Sequence, residues 1–168
     1  MKEIKLTIDG KEIQLTDEQL KMLGIEVETK RKNPFKDQIV GENYFSILSN
    51  NEVREYRDIS DSGDSGAYNA ANYFNDEVFA HQVALHQLLY RKLLKFAYDN
   101  ECEDTAEWDG KNAHWVIRYN GHRNEFCSYY QDGYKARDVY FSSKKSAERA
   151  IKEVVEPFMK ELPEFAWW

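Results

Sequence analysis

Tyr73-Phe74-Asn75-Asp76 and Tyr140-Phe141-Ser142-Ser143 lie 67 residues apart, and their reading decides the fold. Each runs into a helical pattern, and each has an alanine seven positions after its tyrosine, Ala80 and Ala147. Strand-like sequence precedes both, over residues 44–58 and 115–131, where apolar and polar side chains tend to alternate with a period of two. The order strand, strand, short strand, helix is thus written twice. The expected fold class is α+β: an N-terminal β-hairpin and short helix, then two related antiparallel strand-strand-strand-helix units packed together. The corresponding divisions are residues 1–40 for hairpin, helix and linker, 41–100 for the first unit and 101–168 for the second.

Working outward, Ile4, Leu6 and Ile8 alternate with polar residues, and Asp9-Gly10 suits a two-residue turn before the return strand around Ile13 and Leu15. Thr16 with Gln19 makes a capping box and Gly24 a stop, so a short helix follows. Residues 25–37 are charged and contain Asn33-Pro34, which reads as a linker. In the first unit, residues 44–48 and 53–57 are strands, and the Asp, Ser and Gly of 58–66 predict a loop. Asp58, Ser60, Ser62 and Gly63 match four places of a calcium loop, but Asn69 stands where the bidentate Glu belongs, so no metal is expected. A long helix capped by Asn75 or Asn72 reaches to about Asn100, with Phe79, Val83, Leu85, Leu88, Leu89, Leu93, Phe96 and Ala97 recurring mostly at three- and four-residue spacing.

The second unit predicts a meander of three strands, 115–119, 125–131 and 137–141. A last helix follows, with Ala147, Ala150, Ile151, Val154, Val155 and Phe158 at three- and four-residue spacing. Pro157 predicts a kink or a second short helix. The tail Phe165-Ala166-Trp167-Trp168 is too apolar for solvent and is expected to fold back on the sheet or to meet a second copy of the chain. Between the units, Asp99, Glu101, Glu103, Asp104, Glu107 and Asp109 read as a solvated connector.

With 168 residues and 42% hydrophobic content, the chain is of a size to bury a core. No stretch approaches the roughly 18 apolar residues of a membrane span, and the N-terminus lacks an export signal, so a cytoplasmic protein is expected. Cys102 and Cys127 read as free thiols. The net charge of −7 argues against a general nucleic-acid binder, yet it is unevenly spread. Residues 41–80 hold eight acids against two bases, whereas 110–146 hold seven bases against three acids.

The segment from Val139 to Ile151, with Tyr140-Phe141-Ser142-Ser143-Lys144-Lys145, resembles the closing segment of phage and prophage accessory proteins of Gram-positive bacteria. The likeness extends over roughly 40–160 and takes in Asn72-Tyr73-Phe74 and the Trp-containing meander. It implies provenance from a mobile element, where small acidic proteins often inhibit host defence, anti-CRISPR proteins among them. The three strands and helix around Phe141 and Ala147 are also similar to the arm-site DNA-binding domain of phage integrases and the plant ethylene-response-factor domain. There the exposed sheet face enters the major groove. The order helix, three strands, helix is similar to the double-stranded-RNA-binding domain.

No Ser/His/Asp, Cys/His or paired-carboxylate arrangement and no Gly-rich phosphate loop is recognisable, so neither catalysis nor a cofactor is expected. The expectation is a non-catalytic protein whose acidic surface of Glu52, Glu55, Asp58, Asp61 and Asp64 mimics nucleic acid and contacts a host defence nucleoprotein. The alternative is a nucleic-acid-binding module that uses the basic sheet of the second unit. Its contacts would be Arg118, Arg123, Lys135, Arg137, Lys144 and Lys145, with Tyr129, Tyr130, Tyr134 and Tyr140 available for stacking.

Overall fold

Tyr44, Ser46 and Tyr56 on one face and Phe45, Ile47 and Val53 on the other set the register of β3 (Asn43–Ile47) against β4 (Val53–Arg57). The two pair antiparallel, with Tyr44 opposite Tyr56. The structure is a computed structural model. It describes residues 37–167 and, before them, 33–35, 19, 22 and 23, together with the backbone of β1 (Lys5–Ile8) and β2 (Lys11–Gln14). The contacts divide the chain into two compact units, Met1–Asn33 and Pro34–Trp168. In the first, β1 and β2 form the expected antiparallel hairpin, with Lys5 opposite Gln14. The Asp9-Gly10 turn, most of the short helix with its Gly24 stop, and residues 25–32 and 36 of the 25–37 linker lie outside the described residues. Of that helix, the Leu23 N–H donates to the Gln19 carbonyl at 3.2 Å.

The second compact unit is mixed α and β, with small antiparallel two-stranded sheets and helices packed on them. The short third strand expected in each half is reduced to a single residue. Phe74 exchanges backbone bonds with Phe45 at 2.8 and 2.9 Å. Beside it, the Asn72 side chain stands in for a longer strand, giving its Nδ2 to the Ile47 carbonyl at 2.9 Å and accepting from the Ile47 N–H at 2.8 Å. Phe141 likewise exchanges bonds with Trp115, at 2.8 and 3.3 Å. Residues 137–140 do not pair as predicted, because Asp138 turns aside to clamp Arg118 and the Tyr140 hydroxyl accepts from the Ala136 N–H at 2.7 Å.

Ser62–Asn69, whose first five residues fall in the loop expected over 58–66, is a helix, α1. Its start is a capping box in which Asp61 accepts from the Asp64 N–H and Asp64 accepts from the Asp61 N–H, so two caps outweigh the Gly and Ser content. α2 (Glu77–Asp99) is capped by Asp76, whose Oδ1 accepts from the Phe79 N–H at 2.9 Å, and not by Asn75 or Asn72. Its buried stripe is Ala80, Ala84, Leu85, Leu89, Leu93, Phe96 and Ala97. β5 (His114–Asn120) and β6 (Glu125–Gln131) pair with Trp115 opposite Tyr130. α3 (Lys144–Ala150) opens at Ser143, passes through a π-helical stretch at Ile151–Val155 and resumes as α4 (Glu156–Glu161).

Pro157 explains that passage. It has no N–H for the preceding turn and its ring crowds that carbonyl. Widening the turn so that the Glu156 N–H reaches the Ile151 carbonyl removes the clash without breaking the helix. The tail then folds back. Gln82 gives its amide to the Glu164 carbonyl at 2.7 Å and accepts from the Ala166 N–H at 2.9 Å. Phe165 is buried, and Trp167 meets Phe126 of β6 edge-on at 5.0 Å. Among the described residues, no helix is long and apolar enough to cross a membrane.

Phe141 is fully buried and joins the second hairpin to the core of α2 and α3. Phe141→Ala should lower the unfolding free energy by about 3–5 kcal/mol in a urea titration. Tyr134→Ala, at an exposed ring, should change it by no more than about 0.5 kcal/mol.

Candidate functional site

The five carboxylates expected to form one acidic surface are divided by the fold. Asp58 is fully buried and Asp64 nearly so. The Tyr73 hydroxyl donates to Asp58 Oδ2 at 3.0 Å, and the Tyr44 hydroxyl donates to Asp64 Oδ1 at 2.8 Å. The two tyrosine rings stack at 3.9 Å. Asp64 also accepts from the Ile59 and Asp61 N–H groups at 2.8 and 3.2 Å, and Asp58 from the Ser60 N–H at 2.7 Å. These two acids therefore hold the 58–64 turn from inside and cannot present charge to a partner. Their burial corrects the expectation of a single exposed patch, because a buried carboxylate is stable only with such donors.

Glu52, Glu55 and Asp61 do face solvent. Glu52 lies 3.7 Å from Arg54 in an exposed pair that contributes little, and Glu55 accepts from Asn43 Nδ2 at 2.9 Å. The structure therefore retains three of the five as surface acids.

The candidate basic surface is also thinned. Arg118 is clamped by Asp138 through two bonds of 2.9 and 2.6 Å, a bidentate pair that consumes one N–H edge of the guanidinium. Arg123 lies 3.5 Å from Glu125 and Lys144 3.6 Å from Glu148. The Lys135 ammonium sits 5.8 Å over the Trp108 ring. Arg137 and Lys145 remain exposed, without an ion pair to any described residue. Tyr129 and Tyr130 are exposed with near-parallel rings 6.0 Å apart, Tyr134 is exposed and Tyr140 is half-buried, so three of the four face solvent where alternation alone would put half of them in the core.

One arrangement was not legible in the sequence. Asp104, read as part of a solvated connector, accepts at 2.5 Å from Nδ1 of His114, which is fully buried. Trp108 lies flat on the imidazole at 3.6 Å. Asp109 turns the loop that carries Trp108, its carboxyl accepting from the Lys111 N–H at 2.9 Å. His114 Nε2 and Glu103 Oε2 are buried without a hydrogen-bond partner among the described residues. A carboxylate that orients an imidazole is the geometry of a general base, but here the ring is sealed from solvent. The only sequence signal for the pair was the acid ten residues before a histidine at the start of a strand, which by itself is too common to read.

Among the described residues, no three His, Cys, Asp or Glu side chains are placed to hold a metal ion. Both cysteines are free thiols, and burial pushes the Cys102 thiol up. No family model matches the chain, nor does any curated protein or solved structure.

The buried tyrosine–carboxylate pairs set the response to pH. Burial and the bond to Asp58 push the Tyr73 hydroxyl up to about 12, and burial with the bond to Asp64 raises Tyr44 well above the usual tyrosine range. Burial raises the Asp64 carboxyl, but the donors from Ile59, Tyr44 and Asp61 outweigh it and hold it below the usual carboxylate range. The tyrosine contribution is thus present below pH about 10 and lost as pH rises through the folded values, while that of Asp64 is present above pH about 4 and lost on acidification below it. Spectrophotometric titration at 295 nm should show Tyr44 and Tyr73 ionising only with alkaline unfolding, and Tyr44→Phe with Tyr73→Phe should remove that late step.

Proposed function

We propose that this is a non-catalytic binding protein that engages a basic, nucleic-acid-binding surface of a host defence protein through Glu52, Glu55 and Asp61. The observation that carries the reading is that these three acids are exposed on a frame pinned from beneath by the Tyr44–Asp64 and Tyr73–Asp58 pairs. A carboxylate on a fixed backbone can replace a phosphate as counter-charge without first losing conformational freedom. The likeness of the 139–151 segment to phage accessory proteins supports a defence target, since acidic mimics from mobile elements act on such proteins.

The frame is read as a tandem of related units, in each of which a hairpin, a one-residue bridge and a helix succeed one another. The matching bridges of Phe74 to Phe45 and Phe141 to Trp115, and the full burial of Ala80 and Ala147, support this reading. The opposite charge balance of the two units suits a protein that displays acids on one side and retains bases elsewhere.

A second reading is favoured by one specific observation. Tyr129, Tyr130 and Tyr134 are exposed, as are Lys135 and Arg137 a few residues on, the composition of a stacking surface for single-stranded nucleic acid.

One experiment separates the two. The purified chain is immobilised at low salt and exposed to host lysate, with free duplex DNA as competitor, and in parallel titrated with a labelled single-stranded oligonucleotide. The first reading expects a partner that DNA displaces and that Glu52→Lys/Glu55→Lys/Asp61→Ser fails to retain, the serine preserving the helix cap. Retention of the same partner by that variant would dismiss the acidic surface. Salt-sensitive binding of the oligonucleotide, lost in Tyr129→Ala/Tyr130→Ala, would establish the second reading instead.

A further inference from the structure

An open cleft of about 330 Å³ lies between α2, β5 and the 137–141 segment. The volume falls within the range of sites that hold small molecules, roughly 300–1,000 Å³. Leu89, Leu93, Ile117, Val139 and Phe141 line its floor, and all five are buried. Tyr90 and Trp167 bring aromatic rings to the lining. Trp167 is held there by its edge contacts with Phe126 and Phe165, at 5.0 and 6.2 Å.

The mouth has a definite sign. Asp138 lines it, but its charge is matched by the two bonds from Arg118. Arg137 also lines it, is exposed and has no ion pair with a described residue. His86 adds no positive charge at neutral pH, because burial lowers its pKa despite the bond of its Nε2 to the Ala166 carbonyl. One unmatched guanidinium therefore stands over a greasy, aromatic-walled floor.

We propose that this cleft binds a small aromatic anion, with its ring on the floor between Tyr90 and Trp167 and its carboxylate, sulfonate or phosphate paired with Arg137. The apolar floor removes the ring from water, and Arg137 supplies a fork of donors that suits a planar or tetrahedral anion. The site is separate from Glu52, Glu55 and Asp61, so it stands whether or not those acids contact a partner.

The probe is 1-anilinonaphthalene-8-sulfonate, titrated into the full chain by calorimetry and by its own fluorescence, with the uncharged N-phenyl-1-naphthylamine as comparison. The expected result is one sulfonate per chain, bound about tenfold or more weaker by Arg137→Gln, as loss of a charge-assisted bond implies. The neutral probe should bind both forms equally and more weakly than the sulfonate binds the parent chain. Leu89→Trp, which fills the floor, should abolish binding of both. Because that variant carries a core change, Arg137→Gln at an exposed position decides the matter alone if Leu89→Trp does not fold. Absence of saturable sulfonate binding, unchanged affinity in Arg137→Gln, or equal affinity of the parent chain for both probes would overturn the proposal.

Discussion

A two-stranded hairpin is barely stable alone in water, and the 34–168 unit contains two of them, each secured by one residue of backbone pairing. Phe74 and Phe141 carry that constraint. Each hydrogen-bonds to the inner strand of its hairpin, buries its ring almost completely and within three residues hands the chain to a helix. The ring ties the hairpin to the helical layer while the backbone fixes where the helix begins. The close packing of Ala80 and Ala147, both at zero exposure, follows from that placement, since no larger side chain would let the helix lie so near the sheet.

The same geometry decides what the charges do. Loops that leave the hairpins must cover buried strand surface, and they do so with polar groups turned inward: Asp58 and Asp64 under tyrosine hydroxyls, Asp104 against His114, and Asp138 against Arg118. Each pairing satisfies a group that would otherwise be costly to bury. A carboxylate in this chain thus serves either the interior or the surface, and total charge does not distinguish the two. What remains outside are fewer acids on the first half and a few unpaired bases with exposed tyrosines on the second.

Packing is uneven as well. The π-helical stretch before Pro157 keeps Ile151, Val155 and Phe158 buried in spite of the missing backbone donor, while Val154 and Pro157 line a cleft of about 350 Å³ beside α2. On the opposite side of Phe141, between α2 and β5, the side chains do not meet. The folded-back tail brings Trp167 to that gap without filling it.

Local pattern made much of the fold legible. The period of two marked β3 to β6, the spacing of three and four marked α2 and α3, and Asp9-Gly10 marked the first hairpin, because each is a property of consecutive residues. The burial of the tail was legible too, since Phe165 and Trp167 could hardly remain in water. The capping pair of Asp61 and Asp64 overrode a loop-like composition, and its two reciprocal bonds were visible only once the turn was formed. The third strands failed for a related reason: Asp138 and Tyr140 had better partners across space than along the chain. What the amino-acid sequence alone determined was therefore the type and order of the elements and the uneven spread of charge. Which acids are interior, which bases are free, and where the clefts lie were decided only by the tertiary structure, because a charge is matched by whatever the fold brings within about 3 Å of it, regardless of separation in sequence.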